Sequence, residues 1–171
     1  MGGLTAGVSH TNSGATGATD TTEIGAKYVM DAGGNTITIN GSSATTEAPT
    51  TDTDSQSMGI TMVSGNLSLN LGQGTYQAVD EDRSSQGAAV SYKMSNGMTV
   101  GAYTFKSEDD LDVGEEYSQS GVEASYTIAA GLTAVVNVDD YDYKAATTAD
   151  TDGTSVADSG TISSLTIKAS F

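Results

Sequence analysis

The amino-acid sequence predicts an all-β fold in which about ten antiparallel strands run up and down in chain order, and three observations carry this prediction. Apolar and polar residues alternate with a period of two over most of the chain, which is typical of strands with one wet face. Glycines recur at Gly33, Gly65, Gly97 and Gly131, spaced by 32, 32 and 34 residues, as expected of repeated supersecondary units. Short turns at these glycines alternate with long polar connections, which indicates that the tight turns share one end of the sheet.

Each repeated unit is predicted to be a strand, a tight turn and a second strand. The segments "AKYVMDAGG" (26–34), "VSYKMSNGM" (90–98) and "ASYTIAAGL" (124–132) share a tyrosine that precedes the turn glycine. In chain order the predicted strands cover residues 3–11, 21–31, 35–42, 55–64, 66–77, 85–95, 97–106, 116–129, 131–144 and 161–171. The connections at 78–84, 106–116 and 145–160 are predicted to be long acidic loops in water.

The alternation divides the predicted strands into an apolar face and a polar face. The apolar face carries residues such as Leu4, Met58, Leu69, Val136 and Ile167. The polar face carries small polar residues together with a set of charged ones, namely Glu23, Lys27, Asp31, Lys93, Glu123, Asp139 and Lys168. This pattern fits a soluble sandwich, in which two sheets bury their apolar faces together, and equally a membrane barrel, in which the apolar face contacts lipid.

Three further features favour a transmembrane β-barrel over a sandwich. Tyr28, Tyr92 and Tyr126 on the apolar face lie near the tight turns, as does the terminal Phe171, and an aromatic band at one height is typical of a membrane interface. Strands of about 10 residues at ~3.3 Å per residue, tilted by ~45°, span the roughly 25 Å apolar belt of an outer membrane. The charged residues of the polar face are then predicted to line a water-filled pore.

Composition excludes several other classes of function. The net charge is -16 with only six Lys and Arg residues, so no basic surface for nucleic acid can form. The chain has no cysteine and a single histidine, His10, which leaves no disulfide framework, no thiolate metal site and little imidazole chemistry. No apolar stretch reaches the ~18 residues of a membrane-spanning helix. We therefore expect a protein that is not an enzyme.

Metal binding is expected to be loose if it occurs. The carboxylate runs at 80–82 and 108–110 provide the oxygen ligands that Ca²⁺ and Mg²⁺ prefer. The segment "DTDG" (150–153) is similar to part of a calcium loop, but Ser159 stands where such a loop needs a bidentate glutamate. We expect no resident cofactor and interpret these runs as solvated loops.

The serial order of motifs in the second half of the chain resembles a known family. The segments "SQGAAVSYKMSNGMTVGAYTF", "SGVEASYTIAAGLTAVVNV" and "SSLTIKASF" are similar to the C-terminal half of alphaproteobacterial general porins of the Rhodobacter type. Hairpins of the form x-Y-x-hydrophobic-x-x-G-[LM]-T precede a final strand that ends in phenylalanine in that family. The resemblance implies that Phe171 is the signal by which the barrel assembly machinery recognises the last strand, an edge suited to recognition by strand addition.

The resemblance implies a porin of the bacterial outer membrane, a water-filled channel for passive diffusion of ions and small hydrophilic solutes. It also implies a homotrimer, contacts with outer-membrane lipid and lipopolysaccharide, short periplasmic turns and long extracellular loops. Such porins have sixteen strands, so we expect residues 1–171 to form a single barrel domain that lacks N-terminal strands of a larger barrel. Nearly balanced charges on the polar face, combined with acidic loops, predict a weak preference for cations.

Two alternatives remain open from the sequence. A secreted or surface adhesive β-domain that is soluble would account for the acidic, threonine-rich loops, but not for the aromatic band. A small closed outer-membrane barrel with a structural role would account for both features. It would differ from a porin only in having a narrow or plugged interior.

Overall fold

The computed structural model describes residues 2–12, 19–49, 51–111, 115–145 and 157–169, and these form ten strands. The strands are β1 (Gly3–Asn12), β2 (Asp20–Ala32), β3 (Asn35–Glu47), β4 (Thr53–Ser64), β5 (Leu67–Ala78), β6 (Glu81–Lys93), β7 (Met98–Asp109), β8 (Glu116–Ala129), β9 (Leu132–Lys144) and β10 (Asp158–Ala169). They form a single sheet in the order β1 to β10, each antiparallel to the next. This confirms the predicted number, order and direction of the strands.

Within the described residues the sheet has two unpaired edges, one at β1 and one at β10. β1 pairs only with β2, and β10 pairs only with β9. The eight strands between them exchange backbone hydrogen bonds with two neighbours, whereas β1 and β10 each present one edge of N–H and C=O groups. In these same parts of the chain, no helix is long and apolar enough to cross a membrane.

Glycines make the tight turns at the end of the sheet where the predicted short connections lie. Gly33, Gly65, Gly97 and Gly131 have φ values of 62°, 56°, 84° and 76°. This left-handed region carries no steric cost for glycine and favours the tight turns of hairpins. The four turns connect β2 to β3, β4 to β5, β6 to β7 and β8 to β9, which confirms the predicted repeat.

Gly97 offers a direct test of the turn conformation. Replacing Gly97 by alanine is expected to lower the free energy of unfolding by about 1–2 kcal/mol, because a Cβ atom clashes locally in the left-handed region. No other atom lies within 4 Å of that Cβ position, so the effect would come from the backbone alone. Gly7→Ala in β1 is the matched control, since it also has open space but no positive φ. Urea unfolding followed by circular dichroism measures both variants, and equal stabilities would contradict the proposed role of Gly97.

The strands continue further towards the long-loop end than the sequence pattern predicts. β3 extends to Glu47, β7 extends to Asp109 and β6 begins at Glu81. The prediction of a long loop at 78–84 is therefore wrong, because only Val79 and Asp80 connect β5 to β6.

Hydrogen bonds made by polar side chains explain these longer strands. The Thr45 hydroxyl donates a hydrogen bond to Asp54 across β3 and β4 (2.7 Å). The Asp109 carboxylate accepts the backbone N–H of Leu111 (3.0 Å) and, across β6 and β7, that of Asp82 (3.5 Å). Cross-strand polar pairs stabilise a ladder where both faces are polar, and there the period-two pattern of apolar residues carries no signal.

No second layer of secondary structure covers the apolar face in the ranges that the structure describes. Large apolar side chains on this face are exposed, with fractions of 71% for Leu4, 56% for Val122 and 69% for Leu165. Val135 is the one buried hydrophobic residue among those described, at 9% exposure, and it lies on the polar face opposite Ser125. A sandwich would bury the apolar face in a dry interior. This sheet instead leaves large apolar side chains exposed from β1 to β10, whereas soluble monomers rarely expose contiguous apolar patches of great extent.

Candidate functional site

The strand register places all seven predicted pore-lining residues on one face of the sheet. Residues directly opposite one another in neighbouring strands share a face, so the face can be followed from strand to strand. Glu123 lies opposite Gly101 of β7 and Asn137 of β9. Followed in this way, the polar face contains Glu23, Lys27, Asp31, Lys93, Glu123, Asp139 and Lys168.

Six of these seven side chains, all except Asp139, are exposed. They are spread over four strands and do not converge on one point. Glu23 and Asp31 of β2 accept hydrogen bonds from neutral partners, namely the hydroxyls of Ser9 (3.1 Å) and Thr36 (3.1 Å). Charges distributed in this manner act on a mobile ion through the electrostatic potential along the surface, without forming a fixed binding site.

Asp139 departs from the prediction of an exposed charge, because it is only 5% exposed. The Tyr103 hydroxyl donates a hydrogen bond to Asp139 Oδ1 (2.7 Å), and Asn137 Nδ2 donates to Asp139 Oδ2 (2.5 Å). Gly121 lies directly opposite Asp139, and its missing side chain leaves the space that the Tyr103 ring and the carboxylate occupy. Asp139 therefore anchors a hydrogen-bond network on the polar face.

A group of aromatic side chains on the polar face is the feature that the sequence analysis did not assign to a site. Tyr76, Phe105 and Tyr117 border a cavity of about 470 Å³ near the long-loop end, together with Arg83 and Asp109. We call these five residues the aromatic site. The ring centroids of Phe105 and Tyr117 are 6.3 Å apart, with the ring planes inclined by 55°. The parity of these residues along their strands is the sequence signal that indicates their face.

Arg83 is the cationic centre of the aromatic site. Its Nη2 atom lies 3.0 Å from Glu81 Oε1, 3.7 Å from Asp109 Oδ2 and 3.8 Å from Glu115 Oε1. The Arg83 side chain is 44% exposed, whereas that of Asp109 is 4% exposed. Guanidinium N–H groups can only donate hydrogen bonds and ionised carboxylates can only accept them. The aromatic site therefore carries both kinds of hydrogen-bonding group around exposed rings.

The predicted interface tyrosines lie on the opposite face. Tyr28, Tyr92 and Tyr126 each precede a turn glycine by five residues, and their exposed fractions are 41%, 47% and 46%. They share the apolar face and the tight-turn end of the sheet, and their contact with lipid headgroups stays a prediction. Phe171 and the "DTDG" segment (150–153) lie outside the described residues.

Few residues in the part of the chain that the structure describes could bind a metal ion or act through an imidazole. There, no group of three or more His, Asp or Glu side chains is arranged to hold a metal ion. Acidic side chains at the loop ends contact lysine instead, since Lys106 Nζ forms ion pairs with Glu108 and with Glu116 (2.9 Å). His10 is exposed on the apolar face, with Nδ1 2.9 Å from the Thr22 hydroxyl.

Comparison by sequence finds no relative. No protein-family model matches this chain, and no curated protein matches it either.

Comparison by structure finds similar folds. An anion-selective porin from Comamonas acidovorans superposes with a TM-score of 0.66 at 14% identity, over 96% of this chain and 58% of that one. OccD3 (OpdP) from Pseudomonas aeruginosa gives a TM-score of 0.67 at 11% identity, over 90% of this chain and 51% of that one. The KdgM porin, solved in complex with oligogalacturonate, gives 0.51 at 14% identity, over 84% and 88% of the two chains.

The chain thus spans a little more than half the length of the first two solved structures. The ten strands, their antiparallel up-and-down order and these superpositions agree on one architecture. The fold is that of the transmembrane β-barrel porins of the bacterial outer membrane.

Proposed function

We propose that this protein is an outer-membrane porin, a water-filled channel through which ions and small hydrophilic solutes diffuse passively. The single observation that carries the proposal is the contrast between the two faces of one sheet. Leu4, Val122 and Leu165 are exposed on a face that no second layer covers in the described ranges. The opposite face presents the exposed charges Glu23, Lys27 and Glu123.

A lipid bilayer accounts for both faces at once. Hydrocarbon takes the place of a second sheet against the apolar side chains, and water fills the space beside the polar face. Backbone groups inside a membrane must be paired within the protein, which a closed barrel achieves. Part of the proposal is therefore that further strands pair with the open edges of β1 and β10 and complete the lumen. This supports the expectation of a single barrel domain that belongs to a larger barrel.

The finer expectations from the resemblance belong to the same proposal. They are a relationship to the Rhodobacter-type general porins, a homotrimeric assembly, location in the outer membrane and the absence of enzyme activity. They also include contacts with lipopolysaccharide and recognition of Phe171 by the barrel assembly machinery. The aromatic tyrosines at the tight-turn end of the apolar face support the membrane boundary that these expectations require.

A weak preference for cations is supported by the charges of this chain's own polar face. On that face of the strands, carboxylates outnumber basic groups, with Glu23, Asp31, Glu81, Asp109, Glu123, Asp139 and Asp158 against Lys27, Arg83, Lys93 and Lys168. Excess negative charge raises the local cation concentration within a Debye length of ~8 Å at physiological ionic strength. The Comamonas porin has the opposite, anionic selectivity, so the proposed preference rests on this chain's own side chains, because the charges that line a pore set its selectivity.

Fractionation and conductance test the proposal together. The protein is expected in the detergent-extracted outer-membrane fraction, and the purified protein is expected to produce stepwise conductance of KCl across a planar bilayer. A protein that stays soluble without detergent would overturn the membrane location and favour the adhesive β-domain. A membrane protein that never conducts would overturn the channel and favour a structural barrel.

The charge preference has a sharper test at Glu123. A unit charge about 8 Å from a permeating ion contributes about 0.5 kcal/mol in water, which corresponds to a factor of about two in permeability. Glu123→Gln is therefore expected to lower the K⁺/Cl⁻ permeability ratio about twofold, as measured by the reversal potential in a KCl gradient. Glu116→Gln removes the same charge from the opposite face of β8 and is expected to leave the ratio unchanged. Equal shifts in both variants, or none in either, would contradict the assignment of Glu123 to the lumen.

A further inference from the structure

We propose that the aromatic site is a binding site for the ring of a neutral sugar, so that the channel retains sugars as they pass. The inference rests on the proposed function, because the polar face must be in contact with the water of a lumen. Three properties of the site carry it: an exposed aromatic ring without a polar group on the polar face, a neighbouring ring oriented by hydrogen bonds, and hydrogen-bonding groups of both kinds around them.

Phe105 is the first of these properties. It lies on the polar face, opposite Gly87 of β6 and Gln119 of β8, and 38% of it is exposed. Tyr76 on β5 is also 38% exposed on the same face. Phe105, Tyr76 and Tyr117 line the same cavity, and a group of aromatic rings at one place on a surface is more informative about binding than a single exposed apolar residue. A pyranose offers a matching surface, because its axial C–H groups form an apolar face that packs flat on an aromatic ring.

Hydrogen bonds orient the neighbouring rings before any solute arrives. The Tyr117 hydroxyl donates to Gln119 Oε1 (3.1 Å), and Gln119 Nε2 donates to the Tyr103 hydroxyl (2.9 Å). The Tyr103 hydroxyl in turn donates to the buried Asp139 (2.7 Å). This relay fixes Tyr117 at 6.3 Å from Phe105. A site whose side chains are already ordered loses less conformational entropy on binding.

The polar groups around the rings are matched to hydroxyl groups. Each sugar hydroxyl donates one hydrogen bond and accepts others, so a sugar site needs donors and acceptors side by side. Arg83 supplies N–H donors, Glu115 supplies acceptor oxygens at 21% side-chain exposure, and Ser85 and Ser107 add hydroxyls to the cavity wall. Because Arg83 already faces three carboxylates, an anionic solute would meet repulsion and a cationic solute would meet Arg83. The mixed charges favour a neutral solute.

The dimensions of the cavity agree with this assignment. Its volume of about 470 Å³ lies within the ~300–1,000 Å³ of small-molecule sites. The cavity lies near the ends of β5 to β8 that are opposite the glycine turns, which the proposed orientation places towards the extracellular side. A solute would therefore reach the aromatic site early in its passage.

The experiment measures block of KCl conductance by maltose in single channels of the full-length protein, with equilibrium dialysis of radiolabelled maltose as an independent measure of binding. Maltose is expected to reduce the current in a saturable manner. Sorbitol has hydroxyl groups but no ring face, and galacturonate is charged. Each is expected to bind at least about tenfold more weakly than maltose, which corresponds to 1.4 kcal/mol of binding free energy. If the protein conducts but shows neither saturable block by maltose nor saturable binding of it, the sugar site is wrong and the proposed channel function is unaffected. Tighter binding of galacturonate than of maltose would also overturn it.

Substitutions at Phe105 and Tyr117 test whether their rings cause the block by maltose. Phe105→Leu and, separately, Tyr117→Leu are expected to raise the half-blocking maltose concentration about two- to tenfold, because leucine lacks the flat aromatic face on which the sugar ring packs. Tyr126→Leu makes the same change on the opposite face of β8 and is expected to leave maltose block unchanged. Unchanged block in both polar-face variants would overturn the role of the aromatic site. If the protein does not conduct, the proposed function fails, and dialysis with the same variants still decides the sugar site.

Discussion

Arginine in place of Val90 is expected to lower the free energy of unfolding from lipid vesicles by about 1–3 kcal/mol, the cost of a cationic side chain between the midplane and the interface of the apolar belt of a barrel. Val90 is 42% exposed on the apolar face. It lies opposite Leu69 and Ala102. Urea unfolding in vesicles, followed by circular dichroism, measures the loss.

The neighbouring residue provides the control for this prediction. Ser91→Arg places the same side chain one position along β6, on the polar face opposite Gly101 and Ser68. In a water-filled lumen it is expected to change stability by less than about 1 kcal/mol, because surface substitutions away from packed sites have small effects. Equal losses for the two variants would show that hydrocarbon does not cover the face of Val90.

Alanine in place of Gly121 is expected to destabilise the protein by about 2–3 kcal/mol. A Cβ atom at this position would collide with Asp139 Oδ1 and would lie 2.8 Å from a ring carbon of Tyr103. The ring and the carboxylate must then separate, which removes a hydrogen bond to a buried charged group and adds the cost of overpacking. Urea unfolding measures the effect.

Gly72→Ala is the matched control for Gly121→Ala. Gly72 also lies on the polar face in the middle of a strand, but the nearest atom to its added Cβ is the Met58 carbonyl oxygen at an ordinary 3.7 Å. Its stability is expected to remain within about 0.5 kcal/mol of the parent or to rise slightly, because alanine restricts the unfolded chain. A similar loss in both variants would contradict the proposed packing of Tyr103 against Asp139.

Local patterns were sufficient to predict the arrangement of the strands. Alternation with a period of two depends only on neighbours in the chain, and it correctly separated residues such as Val122 from Glu123. The turn glycines could be located because the left-handed backbone conformation restricts the choice of residue at one position. The prediction was wrong at 78–84, where Glu81 and Arg83 belong to β6, because polar residues on both faces remove the periodic signal.

Patterns along single strands could not predict the aromatic site. Tyr76, Phe105 and Tyr117 are separated by 29 and 12 residues in the chain, and strand register brings their side chains to one cavity. Whether Asp139 is an exposed charge or a buried acceptor depends on the residue opposite it, Gly121. Contacts of this kind depend on pairing between strands, which a window along one strand does not contain.

The sequence by itself determined the class of fold, the order of the ten strands, the end at which the tight turns lie and the face to which side chains belong wherever apolar and polar residues alternate. These properties follow from backbone stereochemistry and from the two-residue repeat of a strand. Only the tertiary structure decided that the apolar face lacks a second sheet in the described ranges, that Asp139 is withdrawn into a hydrogen-bond network and that aromatic rings meet Arg83 at one place. These properties arise because burial and side-chain contact depend on which strands lie side by side and on what covers the sheet.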